Sequence, residues 1–521
     1  MIAGRFSPNT DDPVAFPIDI GLRNGSGPGS VVDWRPVGAY KEASTQWTWG
    51  LEPGALAFEL HPDHPLVSKI TNVRRTCYHV RTTFNGRPWS GRIMDRDIEG
   101  PPGRERFTYT CLDNKIWLQS RYNWVNSLFP PEVQVGLTGK QAIMWGPPDP
   151  VFKWYIATTS TRLNIPFFVG LPLLWPPSWN NSNQTDLNDI PKFDDLFDII
   201  ASASEELVVL MARFTQDDDL FAQTVSRLEM GVSVDFWDGR GTSPEVFNTS
   251  SLGNLQSIIN TTSDHFLDLG QLATVSPTLF SYEADRACYV FNSHYKRDNR
   301  KVQWRTDAPG QIASYHYNEH HADAYYAIVG GKSPSIVNDL IEIGANLAIQ
   351  LLINLAFPGL GLGVVVGDLF DDIFFAFQVF SDFEVRDEIG QDDALPEKFA
   401  DNTAAWSADS YAIGKTSLHD HGGKESLTIN AVAGIGDQGI TFGADNGTAR
   451  RFDVGDIMHF YDRGNLVEQH AAKVTVTDKP GERVRTQLVL GEDARPQGAW
   501  TRAILGLQGF AATTRGIANS T

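Results

Sequence analysis

One spacing in this chain matches a metallohydrolase pattern: His316-Tyr-Asn-Glu-His320. H-x-x-E-H would bind zinc through its two histidines, with Glu319 acting on a metal-bound water. That chemistry needs a helix, which brings both imidazoles onto one face. The neighbouring residues point to a strand. Ser314-Tyr-His-Tyr317 is aromatic and β-prone, and Tyr325-Tyr-Ala-Ile-Val329 runs into Gly330-Gly331. No third ligand can be named, so His316, Glu319 and His320 read as ordinary polar residues near a strand end. Gly434-Ile-Gly-Asp-Gln-Gly439 fits G-x-G-x-x-G, but Ile440-Thr-Phe-Gly443 follows as a strand where a dinucleotide site needs a helix. It reads as a turn. Asp217-Asp-Asp219 reads as a helix start near the positive end of the dipole rather than a cation site. With 63 acidic residues, carboxylate pairs arise by chance and mark no glycosidase. The sequence also lacks Walker A, G-x-S-x-G, H-E-x-x-H and C-x-x-C spacings. The expectation is no enzyme, no cofactor and no metal.

The elements around these residues divide into blocks. Residues 1–45 form a loop-rich arm in which Val31-Val-Asp-Trp34 can add a strand. Residues 46–130 read as a β domain. Tyr78, Val80, Thr82 and Phe84 alternate with His79, Arg81 and Thr83, the period of a half-buried strand. Asn85-Gly86 then signals a hairpin, with Trp89-Ser-Gly-Arg-Ile-Met94 as the partner strand. Residues 131–275 combine a Pro- and Trp-rich irregular stretch (126–190) with helices. Phe193 to Leu207, then Leu210, Phe214, Phe221, Val225 and Leu228, keep helical spacing, and Leu255 to Leu269 predicts a short amphipathic helix. Residues 276–335 return to β. Residues 336–400 hold an apolar helical hairpin, and 401–521 form a second β-rich domain after a helix near Ala404 to Leu418. The fold class is therefore α+β and multidomain: β-barrel or sandwich domains, an inserted helical region and the apolar hairpin.

That hairpin dominates the chain. No Lys or Arg lies between Lys332 and Arg386, and no charge from Ile343 to Gly367. Asp339, Glu342, Asn346, Gln350 and Asn354 form one polar stripe before Pro358. Asp368, Asp371, Asp372, Gln378 and Asp382 form another after it. Pro358, Gly359, Gly361 and Gly363 break the helix between the arms. Each arm is shorter than the roughly 20 apolar residues a bilayer requires. The reading is a hairpin buried in protein or between protomers, or one that meets a membrane only in action. Its contact residues are Leu347, Leu351, Leu355, Phe357, Pro358, Leu360, Leu362, Val364, Val365, Phe374 and Phe377.

Composition narrows the function class. Net charge is −20, which argues against a protein that grips DNA by its phosphates and suits a solvated surface or a wall past which DNA slides. Three cysteines, Cys77, Cys111 and Cys288, supply no disulfide framework, and Met1 to Asp12 has no signal-type apolar core. Folding in a reducing cytoplasm is expected.

Several segments resemble the tail-tip, or baseplate hub, minor tail proteins of siphophages that infect actinobacteria. They are Pro53-Gly-Ala-Leu-Ala-Phe-Glu-Leu60, Trp89-Ser-Gly-Arg-Ile93, Tyr109-Thr-Cys-Leu-Asp113, Val329-Gly-Gly-Lys-Ser-Pro-Ser-Ile-Val-Asn-Asp-Leu-Ile341 and Phe374-Phe-Ala-Phe-Gln-Val-Phe380. Within the hairpin the likeness is carried by Lys332, Ser333, Pro334, Asn338, Ala376, Phe377 and Gln378. The resemblance implies a homotrimer in the virion, assembled in the host cytoplasm, that closes the tail tube. It implies contacts with the distal tail protein, with the tape-measure protein and with other baseplate proteins; transient contact with the host membrane rests on the apolar hairpin and not on the resemblance. DNA would pass without specific binding. No catalytic residue is carried over. Two rival readings stand beside it: a tail-associated cell-wall hydrolase using His316, Glu319 and His320, and a membrane-inserting injection protein using the hairpin.

Overall fold

The computed structural model describes residues 17–23, 32–125, 142–146, 148–170, 174, 208–247, 281–308, 311–330, 377–401, 417, 421, 423–431, 439–447 and 450–491. Seven strands open the chain: β1 (Asp19–Arg23), β2 (Val32–Pro36), β3 (Glu42–Thr48), β4 (Ala55–Leu60), β5 (His79–Phe84), β6 (Arg87–Glu99) and β7 (Arg106–Asp113). In β5 the expected alternation holds: Val80, Thr82 and Phe84 are buried, Arg81 and Thr83 exposed. The β5–β6 turn has φ of 46° at Asn85 and 80° at Gly86, the left-handed pair that matches strand twist in a two-residue hairpin.

These strands belong to a 13-stranded sheet that also takes strands from the distant parts of the chain. One path across it runs Ile312–His320, Lys424–Ala431, Arg485–Leu490, Asn465–Asp478, β3, β4, β7, β6, β5, β1, β2. The seam is β3 against Asn465–Asp478, antiparallel, with Trp47 opposite Val474 and Thr45 opposite Val476. The first half of Asn465–Asp478 pairs instead with Asp456–Asp462, which pairs in parallel with Arg297–Arg305. Strands from residues 46–130, 276–335 and 401–521 thus share one sheet and one core. Trp47, Phe58, Tyr109, Trp304, Phe442, Phe460, Val474 and Leu488 are all buried in it.

A second core lies beside the first. Strands Phe167–Val169, Cys288–His294 and Gly231–Trp237 form a three-stranded sheet, covered by helices Pro148–Leu163 and Asp217–Arg227. A third sheet is small: Tyr326–Gly330 lies between Phe377–Ser381 and Glu397–Asp401.

The fold is β-rich, as expected, but among the described residues the main sheet ends in three edge strands, β2, Ile312–His320 and Arg297–Arg305, so the expected barrel is corrected to an open sheet. Residues 148–163 are a helix where irregular chain was expected. It carries no apolar stripe because it is buried nearly all round, from Val151 and Phe152 to Thr159 and Ser160. Val208–Ala212 is a strand paired with Ala142–Gly146, and Phe214 sits at φ 56°, so helix begins only at Asp217. The expected second hairpin arm ends early, because Phe377–Ser381 is extended and pairs with Tyr326–Gly330. Leu347, Leu351, Leu355, Phe357, Pro358, Leu360, Leu362, Val364, Val365 and Phe374 lie outside the described residues. So do the helices expected at 193–207 and 255–269, most of that at 404–418, and all of the G-x-G-x-x-G stretch but Gly439.

Candidate functional site

His316, Glu319 and His320 lie on the edge strand Ile312–His320. A strand alternates sides, so the two histidines share one face about 13 Å apart along the chain, and Glu319 points to the other. One zinc ion cannot reach both imidazoles at bonding distance. Glu319 accepts a hydrogen bond from the Tyr317 hydroxyl at 2.7 Å. Among the described residues no group of three or more His, Cys, Asp or Glu could hold a metal ion, and no helix is long and apolar enough to cross a membrane.

The N-terminal segments that carry the family resemblance do converge. Asp113, at the end of β7, accepts hydrogen bonds from the Gly54 amide at 2.8 Å and the Lys115 amide at 2.9 Å. Gly91 of β6 lies opposite Asp113. Asn114 donates to the Ser90 carbonyl and hydroxyl. A Cβ on Gly54 would fall 2.4 Å from the Gln46 carbonyl oxygen, and one on Gly91 would fall 2.2 Å from that of Leu112. Both glycines are there for close approach, so the shared motif builds a strand corner, not a reaction centre.

That corner feeds a polar joint. The buried Lys115 ammonium donates to the Thr48 carbonyl, the Thr48 hydroxyl and the Gly50 carbonyl, at 2.7–3.0 Å. Burial pushes the Asp113 carboxyl up to about 6 despite Lys115 at 3.9 Å, and burial lowers Lys115. Next in sequence, Trp49 fills the gap between the cores. Its indole N–H donates to the Glu229 carbonyl at 2.8 Å, its amide donates to Ala472, and its carbonyl accepts from the Val232 amide. Gly231 and Gly455 leave room for the ring: a Cβ on either would fall within 2.6 Å of it. On the far side, Asp453 and Asp456 are held by Arg87, Arg297 and Asn299.

Sequence reasoning singled out the segment that ends in Asp113 but not its contacts, and did not single out Trp49. It missed the joint because the joint's partners come from residues up to about 400 positions away, and no local spacing records them. Of the hairpin contact residues only Phe377 is described, in a strand opposite Gly330.

Comparison with known proteins bears on what this architecture is. Its solved likenesses include a 43 kDa tail protein of prophage MuSo2 from Shewanella oneidensis, at 9% identity over 92% of this chain and 98% of that one, TM-score 0.42. A tail protein from Neisseria meningitidis MC58 matches at 9% identity over 92% and 97%, TM-score 0.40. Prophage tail protein gp18 from Listeria monocytogenes EGD-e matches at 9% identity over 95% and 98%, TM-score 0.39. A search of curated proteins found no match. The family model described as Siphovirus ReqiPepy6 Gp37-like protein matches residues 33–492, which span the main sheet apart from β1 and the first residue of β2, the second core and the small sheet. The chain therefore belongs to the Siphovirus ReqiPepy6 Gp37-like protein family, and the resemblance to siphophage tail-tip proteins drawn from its sequence holds.

Proposed function

We propose that this chain is the structural baseplate hub, a minor tail protein, of a long non-contractile phage tail. In this reading it is a homotrimer that closes the tube at the tip and opens to release the tape-measure protein and DNA. The observation that carries the reading is family membership across residues 33–492. Two features support it. The N-terminal and C-terminal thirds of the chain share one sheet, which makes a single rigid body suited to bearing load between a tail tube and its tip. Net charge of −20 keeps the wall of a DNA conduit from holding its cargo.

The role is mechanical, without catalysis, and the partners are the distal tail protein above, the tape-measure protein within and further baseplate proteins around. The edge strands of the main sheet, β2, Ile312–His320 and Arg297–Arg305, offer backbone donors and acceptors to such neighbours. Transient host-membrane contact is assigned to the apolar stretch 343–367. The strand geometry of His316 and His320 gives the hydrolase reading no support.

An antibody against the chain tests the assignment by electron microscopy of intact particles. Label at the tail end distal to the capsid supports it. Label along the tube, at the capsid or nowhere on the particle overturns it.

A further inference from the structure

The main sheet meets the second core across a joint with a histidine at each end. At one end His79 of β5 is buried, and its ring stacks on Phe236 of Gly231–Trp237 with centroids 4.3 Å apart and planes 11° apart. Its Nε2 accepts from Arg23 Nε of β1 at 3.3 Å, and its buried Nδ1 has no hydrogen-bond partner. Arg92 of β6 lies directly opposite it in the ladder, donates to the Tyr289 hydroxyl at 3.0 Å and stacks over Trp117. The titratable groups beside His79 are Cys77, whose Sγ is 3.9 Å from Nε2, and Tyr289, with ring centroids 6.3 Å apart. The carboxylates of this joint, Asp19 and Asp238, are engaged by Arg81 and by the Trp34 indole.

At the other end His294 of Cys288–His294 lies against Trp49, with ring centroids 6.2 Å apart, and its Nε2 is 2.9 Å from the Ser233 hydroxyl. The cations around it are Arg87 of β6, Lys115, Lys153 of helix Pro148–Leu163 and Arg297. One carboxylate, Asp235, approaches through Ser233 at 3.4 Å.

We infer that this joint is an acid-sensitive release, in which protonation of His79 parts the second core from the main sheet while each keeps its own packing. A proton on Nε2 removes the acceptor that Arg23 uses. It also places a third positive charge between Arg23 and Arg92 in a dry, aromatic setting. His294 resists protonation too, first through burial and then through these cations, which are themselves paired with Asp453, Asp113, Asp149 and Asp456. The two hydrophobic cores are separate clusters, so parting them leaves each intact. Burial first, then Arg23 and Arg92, depress His79 to about 3 in the closed joint. With its ordinary value of 6.5 restored on opening, His79 alone should raise the opening constant on the order of thirtyfold between about pH 7.5 and about pH 5, and His294 adds to that rise.

Hydrogen exchange of the full chain, corrected for intrinsic rates, tests this across that pH range. The Val232 amide, which donates across the joint to the Trp49 carbonyl, should gain exchange by at least that factor. Peptides from β3 and Arg485–Leu490 should not. His79→Phe keeps the ring stack without the titration and should lower the gain by about thirtyfold, and His79→Gln serves if the first variant fails to fold. A gain spread evenly over all peptides, a gain below about threefold, or one that persists in the variants would overturn the proposal.

Discussion

Arg121 and Asp217 are fully enclosed. The Arg121 Nε is 2.9 Å from the Asp217 carboxylate, which also accepts from Asn123 at 2.7 Å. Removing one partner leaves a naked buried charge, so Asp217→Ala should cost about 3–5 kcal/mol in urea unfolding. Replacing both, Arg121→Met with Asp217→Leu, should recover most of that loss, because the pair's desolvation disappears with it. Gly91→Ala places a methyl 2.2 Å from a backbone oxygen that cannot move aside, and should lower stability by about 1–3 kcal/mol. The acid response has a definite sign. Burial leads in lowering His79 to about 3, and His294 and His470 to about 4. Below their ordinary 6.5 the unfolded chain therefore binds protons that the folded chain refuses, and stability falls with pH. Asp113 and Asp218, raised by burial to about 6, and Glu42, Asp217, Asp235 and Asp453, raised in the same direction by burial, oppose this as the folded chain takes up their protons through and below that value. Thermal midpoints should begin to drop between pH 6.5 and 6. A midpoint that rises over the first half-unit would contradict the histidine account.

Trp49 is the point where the elements meet, since it hydrogen-bonds to Glu229 and Val232 of one segment and to Ala472 of another. Trp49→Ala should cost about 3–5 kcal/mol and, unlike a mutation deep in either core, should split the unfolding transition in two. A single transition displaced as a whole would mean that the cores do not separate there. How much of this was legible varies by element. The alternation in β5 and the Asn85-Gly86 turn are local facts, and both read correctly. Helix Pro148–Leu163 did not, because burial on all sides erases the stripe that marks a helix. Val208–Ala212 failed for the opposite reason: a short apolar run fits helix or strand equally, and its partner Ala142–Gly146 decides. His79 read as an outward residue of an alternating strand. It is outward with respect to the first core, and only the second core, from far along the chain, covers it.

At the scale of the molecule, the family likeness was legible from short ordered segments, while the reason for their order was not. Gly54, Gly91 and Asp113 are neighbours in space, and the corner they form turns the chain toward Trp49 and the second core. The expectation of separate N- and C-terminal β domains meets a sheet in which β3 pairs with Asn465–Asp478, a pairing no local pattern could announce. That continuity motivates the hub reading: one stiff body, with sheet edges left for neighbours. The most direct test is a reconstruction of the tail tip in the intact particle with this chain located in it. The account predicts three copies around the tube axis at the distal end, blocking the lumen before ejection. A single copy off the axis, or density for the chain anywhere else on the particle, would contradict it.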